Sequence, residues 1–274
     1  MSGSESMRRW FDETRAAFER GWYDHDGRRV ELGDPLREMR EGTRLYAPEE
    51  LAGLPAPAGG SGGPVEVTGE STLVAARRLA GAGAGHVAAL NFASARNPGG
   101  GVVRGTVAQE EDLARAGALY DALARCPEFY AFHRAQGDPF YSDRVIWSPG
   151  VPVYRDEEGG WLPAPVPVSF LTSAAPNRRV IERERPGETG LLPGVFARRA
   201  RGVLAVAARH GVTHLVLGAW GCGVFGNEPA DVAGQFAGLL GAGGEFAGAF
   251  RQVTFAVLDP AGRTRRAFER ALTA

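Results

Sequence analysis

The chain is 274 residues long, 44% hydrophobic and 23% charged, with a formal net charge of −1 at pH 7. That length holds one large core with decorations or two small ones, and the charge balance excludes broad attraction to a nucleic-acid backbone, which takes a basic surplus. No lysine occurs anywhere, which removes Schiff-base lysine chemistry and a P-loop lysine, and two cysteines, Cys126 and Cys222, are too few for a disulfide framework. Apolar runs are strand-length and the first 20 residues lack an apolar signal core, so no membrane association is expected and the cytoplasm is the expected compartment.

In chain order, "RRWFDETRAAFERG" has helical spacing of Trp10, Phe11, Ala17 and Phe18. The stretch 52–64, "AGLPAPAGGSGGP", reads as a linker that divides an N-terminal helical extension, 1–60, from a main domain, 61–274. Next come a short strand, "VEVTG" (65–69), and a helix, "STLVAARRLAG", with Ser71 as N-cap. "HVAALNFA" (86–93) has the continuous apolar character of a strand covered on both faces. "QEEDLARAGALYDALARC" predicts one helix with an acidic first turn. "RVIWSPGVPVYRD" predicts two strands or one bent strand, and "APVPVSFLTSAA" (164–175) another. The remainder alternates: a helix over 193–211 ended by Gly211, a buried strand over 213–220, a glycine loop, a helix from "EPADVAGQFAGLL", a strand over 251–259 and a closing helix. This alternation predicts a three-layer α/β/α sandwich around a parallel or mixed sheet, with ligands beyond the carboxyl ends of its strands.

Two loops carry the chemistry. The first, "NPGGGVVRGTVAQEED", runs from Asn97 to Asp112. Gly99, Gly100 and Gly101 lack Cβ atoms, so the backbone can approach a ligand and turn its N–H groups toward it. Three glycines alone also suit a plain flexible turn, but the helix start that follows adds free N–H groups attractive to an anion or a sugar edge. Glu110 and Glu111 are helix neighbours, about 100° apart around the axis, and need not share one task. Adjacent carboxylates raise each other's proton affinity, as burial does. A carboxyl with a raised pKa suits acid-assisted cleavage of a glycosidic bond. Taken singly, acidic residues in a first turn usually just compensate the helix dipole.

The second loop, "GAWGCGVFGN" (218–227), places four glycines between a buried strand and a helix, as a phosphate cradle of backbone N–H groups would. It is neither a Walker A loop nor a good dinucleotide fingerprint. Phe225 within it packs on a ribose or base face, or on the protein's own core; the sequence leaves both open.

Together these residues resemble the bacterial-type poly(ADP-ribose) glycohydrolases of the macrodomain fold: Gly99-Gly100-Gly101, seven residues, then Gln109-Glu110-Glu111, with "LNFASARNP" upstream and "LGAWGCGVFGN" as the second loop. The resemblance covers about 65–258, and less specifically the N-terminal segment. It implies a macrodomain-like sandwich with a mixed sheet and hydrolysis of ribose–ribose bonds in poly(ADP-ribose), with ADP-ribose as product. Glu111 would be the acid that protonates the departing 2′-oxygen and then deprotonates water. Glu110 would orient ribose hydroxyls, Gln109 would position the loop, and Asn97 would bind the terminal ribose. Gly99, Gly100 and Gly101 would contact that ribose and the diphosphate. Gly221, Cys222, Gly223, Val224 and Gly226 would hold the diphosphate, with Phe225 against the ribose. No cofactor and no metal are implied. The partners would be the polymer and the ADP-ribosylated proteins that carry it, met by a monomer.

Rival readings remain. An ADP-ribose-binding module without catalysis would keep the phosphate loop but need no Gln-Glu-Glu. A cysteine hydrolase built on Cys222 would need a nearby histidine, and His210 and His214 lie at the far end of the preceding strand. His25 in "YDHDG" suggests a turn rather than a metal loop. The segment "NRRVIERERPGE" (177–188) mixes both charge signs as a solvated surface does, and could also steer an anionic polymer. Glu70, near a strand end, is a candidate adenine contact.

Overall fold

A computed structural model of the chain describes residues 3–57, 63–83 and 85–273. In order, the elements are α1 (Gly3–Arg20), β1 (Trp22–His25), β2 (Arg28–Glu31), α2 (Gly33–Gly42), β3 (Arg44–Tyr46), α3 (Pro48–Gly53), β4 (Val65–Thr68), α4 (Thr72–Gly81) and β5 (Val87–Phe92). After a long loop come α5 (Gln109–Ala116), α6 (Leu119–Leu123), α7 (Pro127–Gln136), β6 (Val145–Arg155), β7 (Trp161–Ser173) and α8 (Arg178–Glu184). The chain closes with α9 (Leu192–Arg209), β8 (His214–Gly218), α10 (Pro229–Leu240), β9 (Gln252–Ala256) and α11 (Arg263–Thr273).

Among the described residues, seven strands form one sheet in the order β3-β6-β7-β5-β8-β9-β4. The β3–β6 and β6–β7 pairs are antiparallel and the rest parallel, so the sheet is mixed. Side chains alternate across it. On β5, Val87 and Ala89 join a core with α2 and α4 to α7, while Ala88 and Leu90 join one with α3 and α9 to α11. Those two cores are the two helical layers of the predicted sandwich. Ser71 caps α4 by accepting from Val74 N–H. No described helix is long and apolar enough to cross a membrane.

Several expectations change. The single helix predicted over 109–126 breaks at Gly117, whose extended backbone bridges to Val153; a Cβ there would lie 2.4 Å from the Pro152 carbonyl oxygen. After the break α6 continues the predicted helix, while α7, from Pro127, was not foreseen. "RVIWSPGVPVYRD" is one strand, with a register shift between Ser148 and Val151 at its prolines. The middle of the expected linker, 58–62, lies outside the described residues, while Pro64 already accepts from Val253 N–H at 3.1 Å. Before it, β3 is an edge strand of the main sheet and β1–β2 a hairpin turning at Asp26 and Gly27, both at positive φ.

Because β4, β5, β8 and β9 are parallel, the loops that follow them all emerge at one end of the sheet. Both glycine loops are among them.

Candidate active site

A cleft of about 1260 Å³ opens at that end. Its walls are the loops after β4 and β9, the ends of β5 and β8, the start of α5 and one side of α1. It is lined by Gln109, Glu110 and Glu111 and by Gly221 to Phe225, so the fold brings together the two groups of residues singled out in the sequence.

Gln109 fastens the start of α5 to the sheet. Its Oε1 accepts from Phe92 N–H at 2.9 Å, and its Nε2 donates to the Leu90 carbonyl at 2.8 Å and to Thr72 Oγ1 at 3.1 Å. Glu110, the next residue, turns inward and is only 3% exposed. One carboxyl oxygen accepts from Ser94 N–H at 2.6 Å and the other from Asn91 Nδ2 at 3.3 Å. Burial outweighs these donors and, with the Glu111 charge adding to it, pushes the Glu110 carboxyl up to about 8. Glu111, 7% exposed, accepts from Gly101 N–H at 2.8 Å. The two neighbours thus occupy different surroundings: one is tied to the end of β5, the other to the glycine loop.

The triple glycine wraps Glu111 and stands behind it, off the cleft wall. Gly99 and Gly100 take the left-handed conformation, with φ of +63° and +59°. A Cβ on Gly100 would lie 2.5 Å from Glu111 Oε1 and 3.1 Å from Glu110 Oε2, and one on Gly101 would meet Thr106 Oγ1 at 2.3 Å. Beneath the loop, Phe11 of α1 packs with Val102 and Ala114, its ring 5.1 Å edge-on from Tyr120. Thr14 Oγ1 donates to the Arg115 carbonyl at 2.7 Å and Ser4 Oγ to the Arg104 carbonyl at 3.0 Å. The N-terminal helix is therefore the support of this loop. Asn97 is exposed and outside the cleft wall, its N–H turned to Ser94 Oγ at 3.3 Å.

In the second loop Gly221 and Gly226 have positive φ, of +74° and +71°. Asn227, buried, ties the loop shut by donating from Nδ2 to the Pro176 and Gly221 carbonyls at 2.8 and 3.1 Å. The N–H groups of Gly223, Val224 and Phe225 have no partner among the described residues, and Val224 is 77% exposed. Gly226 faces Arg179, away from the cleft. Phe225 both lines the cleft and packs, its ring 6.0 Å from Tyr141 and its edge on the core.

Cys222 lines the cleft, but burial pushes its thiol up to about 12, opposite to the shift a nucleophile needs. His210 sits at the other end of the sheet, stacked 4.2 Å from Trp147 and bonded to the Tyr46 hydroxyl. Among the described residues no group of three or more His, Cys, Asp or Glu side chains could hold a metal ion. Glu70 lines the cleft with both carboxylate oxygens engaged by Arg78, at 2.8 Å each. The cleft also takes Met7, Trp10 and Thr72, none of them foreseen as site residues: the sequence marks Trp10 only as part of an amphipathic helix face, and Thr72 follows the capping Ser71.

A family model described as "Microbial-type PARG, catalytic domain" matches residues 12–156. The crystal structure of poly(ADP-ribose) glycohydrolase from Thermomonospora curvata is 52% identical, covers 97% of this chain and 99% of that chain, and superposes with a TM-score of 0.92. The same enzyme bound to the inhibitor ADP-HPD gives 52%, 97%, 99% and 0.89. The enzyme from Deinococcus radiodurans in complex with ADP-ribose is 48% identical over 89% of this chain and 98% of that chain, with a TM-score of 0.83. A search of curated proteins finds no match. With its two glycine loops and its buried glutamate pair joined in one cleft, the chain belongs to the family of microbial-type poly(ADP-ribose) glycohydrolases.

Proposed function

We propose that this chain hydrolyses the ribose–ribose O-glycosidic bonds of poly(ADP-ribose) and releases ADP-ribose. The observation that carries the reading is the pair of buried carboxyls, Glu110 and Glu111, in a cleft that also holds unpartnered loop amides. Relatives bound to ADP-ribose and to ADP-HPD support a ligand of that kind in this cleft. The N–H groups of Gly223 to Phe225 receive the diphosphate, and Cys222 packs under them as a neutral thiol. The Phe225 face, already steadied by Tyr141, bears on the terminal ribose. Asn97, just past Ser94, is the further ribose contact.

Glu111 is the acid. It protonates the 2′-oxygen as the bond from C1″ breaks and an oxocarbenium-like sugar forms; it then takes a proton from the water that adds to C1″. Gly99 to Gly101 act through the carboxylate that they enclose. Burial keeps the Glu110 carboxyl protonated up to neutral pH, so it can donate to a ribose hydroxyl. The 1–60 segment serves this domain as a brace, through α1 and β3. Two unpaired cysteines support action in a reducing compartment, the cytoplasm. The enzyme works as a monomer on ADP-ribosylated proteins.

The test is release of ADP-ribose from poly(ADP-ribose), with a metal chelator present, by the parent and by Glu111→Gln and Glu110→Gln. Release by the parent that is lost in Glu111→Gln, with ADP-ribose binding kept, supports the assignment. Full activity in Glu111→Gln overturns its role as acid. Tight ADP-ribose binding with no release by the parent makes the protein a reader and overturns the reaction.

A further inference from the structure

We propose that an arc of unpaired arginines, Arg96, Arg134, Arg144 and Arg179, holds the diphosphate backbone of the polymer units that lie outside the cleft. The inference rests on the glycohydrolase reading and extends it from the bond that is cleaved to how the rest of the substrate is held.

In the segment 177–188, which mixes both charge signs and could also steer an anion, every arginine but Arg179 has an acidic partner. Arg178 pairs with Glu182 and Asp231, Arg183 with Glu184, and Arg185 with Asp138 and Glu188. Asp143, the other acid on this side, is taken by Arg198 and Arg199. With the local acids engaged in this way, the four arginines of this face have no acidic partner among the described residues. Arg96, Arg134 and Arg179 are exposed and Arg144 is half-buried.

They form a connected line. Arg134 donates from its guanidinium to the Arg96 carbonyl at 2.5 Å, just ahead of Asn97 and the triple glycine. Arg144 lies 3.4 Å from the ring centroid of Phe132, two residues from Arg134 on α7. From the same helix His133 meets Tyr141 at 5.8 Å, and Tyr141 meets Phe225 of the second loop at 6.0 Å. Arg179 closes the line: its N–H donates to the Phe225 carbonyl at 3.1 Å and its stem lies against Gly226. The arc thus runs from the first glycine loop to the second around the outside of the site. None of the four lines the cleft itself.

A single ADP-ribose has its diphosphate on the second loop, so cations outside the cleft meet only a longer occupant. Poly(ADP-ribose) supplies a diphosphate in every repeat. Arginine suits such a target because its planar fork binds phosphate oxygens in pairs. On a chain with a net charge of −1, local cations rather than overall charge must supply the attraction.

The experiment measures kcat/KM on long poly(ADP-ribose) between 50 and 200 mM salt, beside polymer binding by anisotropy and ADP-ribose binding by calorimetry. It compares the parent with Arg96→Ala/Arg134→Ala and Arg96→Lys/Arg134→Lys. Four phosphate contacts at about −0.7 in log–log slope each make the parent lose about 50-fold over that range, and two make the alanine pair lose about 7-fold. The ADP-ribose Kd is expected unchanged, and the lysine pair is expected to restore most of the slope. Equal slopes in parent and alanine pair, or a matching loss of ADP-ribose affinity, overturn the proposal. If the parent releases no ADP-ribose, it is the glycohydrolase reading that fails, and the anisotropy series still reads the arc. A parent that prefers a single-stranded oligonucleotide of equal charge, with that binding lost in the alanine pair, would make the arc a nucleic-acid surface and overturn it too.

Discussion

Gly100→Ala and Gly137→Ala form a matched pair that isolates the positioning of Glu111. Both glycines are left-handed, with φ of +59° and +63°. A side chain therefore costs either site about 1–2 kcal/mol in backbone strain, a few degrees in Tm for a chain of this size. The surroundings differ. At Gly137, the exposed cap of α7, a Cβ meets nothing within 4 Å. At Gly100 it would lie 2.5 Å from Glu111 Oε1, and contacts closer than 3.0 Å are not tolerated. The atom in the way ends a side chain, so the fold yields and the carboxylate moves by about 1 Å, weakening its bond from Gly101 N–H. A displacement of that size costs on the order of 100-fold in rate. Thermal unfolding, kcat on poly(ADP-ribose) and the ADP-ribose Kd should be measured on both. We expect similar Tm losses, a kcat loss of about 100-fold in Gly100→Ala alone, and a Kd held within a few-fold. Equal kcat values in the two variants would refute the reasoning, since the enclosure of Glu111 would then have no bearing on the reaction.

Glu110 makes stability depend on pH. Its folded pKa, about 8, lies above the unfolded value near 4.5, so its carboxyl favours the folded state fully below pH 4.5. That contribution is lost as pH rises through 8, by up to about 5 kcal/mol. The urea midpoint should fall from pH 5 to pH 8 more steeply for the parent than for Glu110→Gln, and equal falls would contradict the burial effect. Gln109→Ala removes three hydrogen bonds and leaves Phe92 N–H unpaired. It should cost about 1–3 kcal/mol and lower kcat more than ADP-ribose affinity; an unchanged kcat would count against Gln109 as the tether of α5. Phe11→Ala, at a site 1% exposed, should cost about 3–5 kcal/mol in urea unfolding and lower kcat, because the cavity opens under the glycine loop. Full activity in a destabilised Phe11→Ala protein would show that α1 supports the fold but not the loop.

What could be read along the chain was local. Apolar runs marked β5 and β8, Ser71 marked the start of α4, and glycines after strands marked both loops, because each depends on neighbours a few residues away. The "YDHDG" stretch marked a turn in the same local way, and Asp26 and Gly27 make it. Beyond that range, periodicity is silent. A three-residue strand such as β3 has no period to detect, and its place beside β6 exists only because a long strand leaves an edge to pair. Gly117 breaks a helix that its flanking residues favour, because the Pro152 carbonyl comes too close for a Cβ. The mixed charges of 177–188 were legible, but not that Asp138 and Asp231, from distant segments, pair with Arg185 and Arg178.

The glutamate pair divides along the same line. The sequence by itself determined that two carboxyls stand in the first turn of a helix behind three glycines, and hence which residue types could do the chemistry. Only the tertiary structure decided which carboxyl faces Asn91 and Ser94 and which faces Gly101, and buried Glu110 deeply enough to raise its proton affinity. Burial and hydrogen-bond partners set a proton affinity, and both are made by segments that meet only when the chain is folded.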